Sequence, residues 1–240
     1  MARDRHQPRP TSSTATYILG GLAALVIVGL VIGGVIWNNQ RGKGEVDENV
    51  LAQNAALIVG DQQAPVTADV FEDFQCPYCK QLEAASGQAM VDAVKAGKLR
   101  IRFHLLTFLN SQSGSGDYSS RTAGAALCVA EGENRDVFWK FHTSLFAQQP
   151  AEHSTDLDNK RIAQIATDSG ARPATSTCIV DGAKVGQANK AAQQSQIQLD
   201  KALNGQGGTP SVLVAGKPVE NILDGPQWID GLLTKASTAG

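Results

Sequence analysis

The sequence predicts an α/β domain that carries a helical insertion and is preceded by a single transmembrane helix. Three observations predict it. An uncharged apolar run extends from Tyr17 to Trp37, a strand–turn–helix–strand succession is centred on Cys76-Pro77-Tyr78-Cys79, and an Ala-rich helical stretch at about 118–203 separates that unit from later strands. At 42% hydrophobic and 18% charged over its whole length, the chain has ordinary globular composition once that apolar run is set aside. A net charge of −2 with no basic cluster beyond the flanks of the apolar run argues against nucleic acid as a partner.

The run YILGGLAALVIVGLVIGGVIW is long enough to cross a bilayer once, since at 1.5 Å per residue it spans about 31 Å. Tyr17 and Trp37 close its ends, where amphipathic aromatics favour the headgroup level. The competing reading is a cleaved signal peptide. The run exceeds a usual signal core and no small-x-small cleavage site follows it, which favours a retained signal anchor. Arg3, Arg5 and Arg9 before the run, against Arg41 and Lys43 after it, favour a cytoplasmic N-terminus. The expected organisation is a cytoplasmic tail at 1–16, the anchor at 17–37, a polar tether at 38–53 and one extracytoplasmic domain at 54–240.

Within that domain Val66 to Phe74 reads as a strand that stops at the Cys76 motif. Lys80 to Ala96 has helical composition and ends at Gly97, a helix-end signal. Leu99 to Leu106 alternates apolar and polar residues, which completes a β-α-β unit with the cysteine pair at its first turn. The helical insert breaks near Gly132, Pro150, Gly170 and Pro173. Ser211–Ala215 and Val219–Ile222 flank Gly216-Lys217-Pro218 as a hairpin, and Pro226 to Lys235 reads as a closing helix.

The chemistry centres on Cys76 and Cys79. Where a strand ends and a helix starts, the Cys76 sulfur faces unpaired N–H groups that favour thiolate, and Pro77 suits the first helical turn because its missing N–H costs nothing there. A pair so spaced can close into a disulfide and reopen by attack on Cys76. The other readings are half of a zinc site or two inert thiols. Zinc needs two more ligands, yet there is no second CxxC and His104, His142 and His153 show no ligand spacing, so no metal is expected. Gly208-Thr209-Pro210 before a strand is a second signal, weak alone and specific beside the first. Phe138 to His142 reads as a core helix face, with His142 in a substrate groove as the other reading.

From Leu57 to Lys235 these motifs resemble the thioredoxin-like superfamily, and within it the DsbA-like thiol:disulfide oxidoreductases of Gram-positive and actinobacterial type. The residues that carry the likeness are VFEDF running into CPYC, the helical insert, and GTPSVLVAGKPV near the end. CPYC also occurs in glutaredoxins, which lack so large an insert. The resemblance implies a thioredoxin-like fold in which Cys76 is the exposed nucleophile, Cys79 the buried resolving partner and Pro210 a cis-proline beside them. Pro77 and Tyr78 would complete the motif, and Thr209 would offer its backbone to substrate. Many relatives carry an acid deep in the strand before the motif. Here that inward position reads as Val70, while Glu72 and Asp73 lie nearer the motif; the expectation is that they are solvated, with substitution of either for the missing acid as the other reading.

Cys128 and Cys178 remain, either as two buried thiols or as a bond. Outside the cytoplasm a leftover pair more often forms a structural disulfide, and relatives of Gram-positive type often carry one in the insert. The resemblance implies disulfide donation to reduced protein substrates. It also implies reoxidation by a quinone-linked membrane oxidase of DsbB or VKOR type, with no cofactor. A reductase or isomerase on the same scaffold is the alternative, and a non-catalytic binding module the next.

Overall fold

The computed structural model describes residues 44–238, so the expected tail, the transmembrane helix at 17–37 and the first part of the tether lie outside the described residues. Among the described residues no helix is long and apolar enough to cross a membrane. The chain begins with helix α1 (Glu48–Asn54), whose first N–H groups are capped by the Asp47 carboxylate, and strand β1 (Leu57–Val59) follows. Strand β2 (Val66–Glu72), helix α2 (Pro77–Lys95) and strand β3 (Leu99–Leu105) form the expected β-α-β unit. Helix α2 ends where Gly97 adopts φ +69°, with Lys98 N–H bonded to Ala93 C=O and Gly97 N–H to Val94 C=O.

After a 3₁₀ turn (Phe108–Gln112) come the five helices of the insert: α3 (Tyr118–Gly132), α4 (Arg135–Ala147), α5 (Asn159–Asp168), α6 (Pro173–Val180) and α7 (Val185–Ala202). The expected breaks at Pro150 and Gly170 fall between helices, Gly132 ends α3 and Pro173 opens α6. Helices α3 and α7 approach closely because position 124 is glycine. A Cβ there would lie 2.9 Å from the Val185 nitrogen. Strands β4 (Ser211–Val214) and β5 (Lys217–Pro218) and helix α8 (Gln227–Thr238) complete the chain.

The sheet order is β1-β3-β2-β4-β5, with β2 and β3 parallel and the other neighbours antiparallel. Central β2 decides where the site's charged groups go. Its side chains alternate, so Val66, Ala68 and Val70 pack into the main core with α2, α3 and α4, and Glu72 shares their face. Asp69 and Phe71 turn to the opposite face, where Phe71 joins Leu51, Leu106, Ala192, Leu199 and Leu213 in a smaller core under α1 and α7. Asp69 is buried there among partners: Arg102 Nε donates to it at 2.6 Å, His104 Nε2 lies at 2.7 Å, and Arg102 also pairs with Glu48 of α1.

Three readings from the sequence are corrected here. Residues 48–53, expected in the tether, form helix α1 together with Asn54, and Leu51 is fully buried. The β2 strand ends at Glu72, two residues early, because the chain then turns to place Cys76. The hairpin turn is Ala215-Gly216, not Gly216-Lys217-Pro218. Both turn residues have positive φ (49° and 71°), as a two-residue hairpin turn demands, and Lys217 and Pro218 pair with Val214 and Leu213 on the sheet edge.

Candidate active site

Cys76 is the residue that caps α2, and Pro77 is the first helical residue. The loop before it is pinned on both sides. Asp73 accepts from Gln75 N–H at 2.9 Å with one carboxylate oxygen and from Leu109 N–H at 3.1 Å with the other, while its carbonyl accepts from Cys76 N–H. From the segment after α4, Gln149 donates Nε2 to the carbonyls of Phe74 (2.9 Å) and Cys76 (2.8 Å). The sequence offered no signal for Gln149, which reaches the motif from more than seventy positions away.

The Thr209–Pro210 peptide bond is cis, and the Thr209 carbonyl accepts from Cys76 Sγ at 3.3 Å, so the strand-entry motif and the cysteine motif do meet. Tyr78 points to solvent, 61% exposed. Cys76 itself retains only 4% of its surface, and Cys79 none. The expected exposed nucleophile is thus a recessed one, open to an approaching sulfur over a small window. Cys128 and Cys178 are bonded, with Cα atoms 6.0 Å apart, and tie α3 to α6 in the insert.

The two free thiols are strongly unequal. Cys76 is lowered from 9.0 to about 6, chiefly by a hydrogen bond from the Cys79 thiol, against burial, with help from Thr209 and from the N–H groups of Cys79 and Tyr78 at the helix start. Cys79 is raised well above 9.0 by burial, by Cys76 and by the Glu72 charge. At neutral pH Cys76 is therefore the thiolate and Cys79 the thiol. The rate at which iodoacetamide alkylates Cys76 is expected to rise with pH through a midpoint near 6 and then level, with thiol below the midpoint and thiolate above it. Burial also pushes Asp73 up to about 6. Asp73→Asn is expected to keep the step, which assigns it to the thiol.

Glu72 and Asp73 are not solvated: both are fully buried. Glu72 faces His142 of α4, with Oε2 and Nε2 2.8 Å apart, and the far nitrogen of His142 lies 3.7 Å from Glu83 of α2. His142 is fully enclosed and lies in no groove. The β2 alternation that carries Val70 inward carries Glu72 inward as well, and this was the signal available in the sequence. Glu72, Glu83 and His142 could also serve as ligands to a cation.

A family profile described as Thioredoxin matches residues 53–230. The serine/threonine-protein kinase PknE of Mycobacterium tuberculosis is 34% identical over 183 residues, 75% of this chain and 32% of the kinase. The chain thus spans about a third of the length of the first curated relatives it matches. Disulfide bond formation protein D of Bacillus subtilis is 27% identical over 171 residues, 70% of this chain and 71% of that protein. The reduced form of the disulfide bond oxidoreductase DsbG from Mycobacterium tuberculosis superposes with a TM-score of 0.64 at 27% identity, covering 77% of this chain and 88% of that one.

Proposed function

Because the chain belongs to the thioredoxin family, we propose that it is an extracytoplasmic thiol–disulfide oxidoreductase of DsbA type that donates the Cys76–Cys79 disulfide to reduced protein substrates. The observation that carries this reading is the inequality of the pair at the start of α2, a stabilised Cys76 thiolate over a buried Cys79 thiol. A substrate thiolate attacks Cys76 of the oxidised pair, the Cys76–Cys79 bond breaks, and Cys79 leaves and takes up a proton. A second substrate thiolate then attacks the substrate sulfur of the mixed disulfide and releases the Cys76 thiolate. The substrate loses two electrons and two protons, and the pair gains two electrons and the proton on Cys79, while the second proton goes to solvent because Cys76 is released as thiolate.

Stabilising the released thiolate favours this direction. Lowering a thiol from 9.0 to about 6 favours the reduced form roughly tenfold at pH 7, which is about 30 mV for a two-electron couple. A membrane oxidase of the quinone-linked DsbB or VKOR type would restore the disulfide, and the apolar run at 17–37 would hold the domain beside it as a signal anchor. The Cys128–Cys178 bond supports an oxidising compartment, since stable disulfides are rare in reducing cytosol. Mixing the oxidised protein with one equivalent of a reduced dithiol peptide tests the reading. The disulfide is expected to pass to the peptide; a pair that stays oxidised would overturn donation and favour a reductase.

A further inference from the structure

The proposed chemistry does not account for how firmly the cysteine turn is held from outside. Two stretches of chain reach it, one before α3 and one after α4. The first meets the loop at Asp73, whose carboxylate accepts from Leu109 N–H at 3.1 Å. The second meets it at Gln149, whose Nε2 spends both hydrogens on the carbonyls of Phe74 and Cys76. Both partners can only accept, so the atom that faces them is the amide nitrogen. Phe74 is buried, and its carbonyl takes no other hydrogen bond among the described residues. The Cys76 carbonyl also accepts from the N–H groups of Cys79 (3.2 Å) and Lys80 (3.3 Å) in the first turn of α2. One side chain thus ties the end of the loop to the start of the helix.

Gln149 is held in its turn. His153 N–H donates to the Gln112 carbonyl at 2.6 Å, and Ser115 N–H donates to Asp156 at 2.8 Å, so the stretch that carries Gln149 is laced to the one before α3. The two pass so closely that a Cβ at Gly114 would lie 2.4 Å from the Ser154 carbonyl oxygen. Arg121 of α3 pins both. Its largely buried guanidinium donates to Asp156 (2.6 Å) and the Leu157 carbonyl (2.7 Å) on one side, and to Asp117 (2.6 Å) and Ser115 (3.2 Å) on the other.

Resting on the oxidoreductase reading, we infer that Gln149 is a positioning residue for Cys76, and that Arg121, by holding the stretch that carries it, lets the insert set how the first N–H groups of α2 meet the reacting sulfur. Without the Nε2 donor the buried Phe74 carbonyl has no partner, a cost that favours any shift of the loop that lets water reach it. The N–H groups of Tyr78 and Cys79 then hold the thiolate less well, whereas the uncharged disulfide has no such need of them. The titratable groups that face Cys76 are Cys79 of α2, Glu72 of β2 and Asp73 of the loop, and the substitutions below alter none of them.

The test is the pH midpoint for alkylation of Cys76 by iodoacetamide in the reduced full chain, measured beside thermal unfolding. Gln149→Met, which keeps the reach and loses the donor, is expected to raise the midpoint from near 6 by about one unit, slowing alkylation at pH 6 about fivefold through the smaller thiolate fraction. Arg121→Lys, which keeps the charge and loses the fork, is expected to raise it by less. Replacing Cys128 and Cys178 together by serine loosens the insert away from the motif and is expected to leave the midpoint near 6. If Gln149→Met does not fold, Arg121→Lys and the double serine variant decide. Midpoints for Gln149→Met and Arg121→Lys that coincide with that of the unsubstituted protein or fall below it, whatever their Tm, would overturn the inference. So would a double serine variant shifted as far as they are, since loosening alone would then explain the effect. A shift in Gln149→Met alone would overturn the part given to Arg121. The oxidoreductase reading survives each of these results, and falls instead if the oxidised unsubstituted protein exchanges no disulfide with a dithiol peptide at any pH.

Discussion

Cys76→Ser is expected to reduce disulfide transfer to the uncatalysed background, whereas Cys79→Ser retains attack and accumulates about one equivalent of mixed disulfide. The asymmetry follows from position. Cys76 caps α2, carries the thiolate and is the one sulfur of the pair with a solvent window, so its loss removes the only atom a substrate can reach. Cys79 is buried and protonated, and on the proposed reading it is the thiol that would reverse the mixed disulfide from within. Non-reducing electrophoresis with a protein substrate that carries a disulfide separates the cases, since the Cys76 thiolate left in Cys79→Ser forms a mixed disulfide by attacking that bond and releasing the other substrate sulfur. Equal loss in both variants, with no trapped adduct, would contradict the assigned roles.

The second large effect is on stability. Replacing Cys128 and Cys178 together by serine is expected to destabilise the domain by roughly 4 kcal/mol in the chain-entropy model for a separation of 50 residues. For a domain of this size that lowers Tm by roughly 8–16 °C. The bond joins α3 to α6, away from the motif, so the alkylation midpoint of Cys76 should stay near 6. Thermal unfolding of the double variant measures the first effect, and a loss below about 1 kcal/mol would show the insert to be held by packing alone.

The parts of the fold that were legible are those where local chemistry and tertiary placement agree. VFEDF running into CPYC could be read as a strand that hands its chain to a helix, because proline at the first helical position and glycine after the last one mark both ends of α2. The Ala-rich insert was legible for the same reason. Helix α1 was not, since ENVLAQN places one buried leucine among polar residues and gains its stability from packing against α7 and β3. The hairpin turn was misplaced because Ala215 at positive φ carries no sequence signal, whereas Gly216 and Pro218 carry strong ones.

At the site, the cysteines and the Thr209-Pro210 motif could be read, but the charges beneath them could not. A carboxylate four or five residues before a helix start ordinarily reads as solvated, and only period-two alternation through Val66, Ala68 and Val70 sends Glu72 inward. Its partners, His142 and Glu83, come from other helices, and no local pattern links them. Gln149 belongs to the same class, a side chain whose role exists only after the insert folds back on the motif.

The most direct test of disulfide donation is the reduction potential of the Cys76/Cys79 pair, equilibrated against glutathione at pH 7 and read by thiol alkylation. Disulfide donation predicts a value at the oxidising end, between about −120 and −180 mV, of which the Cys76 thiolate supplies about 30 mV; one near about −270 mV would contradict donation and make the protein a reductase.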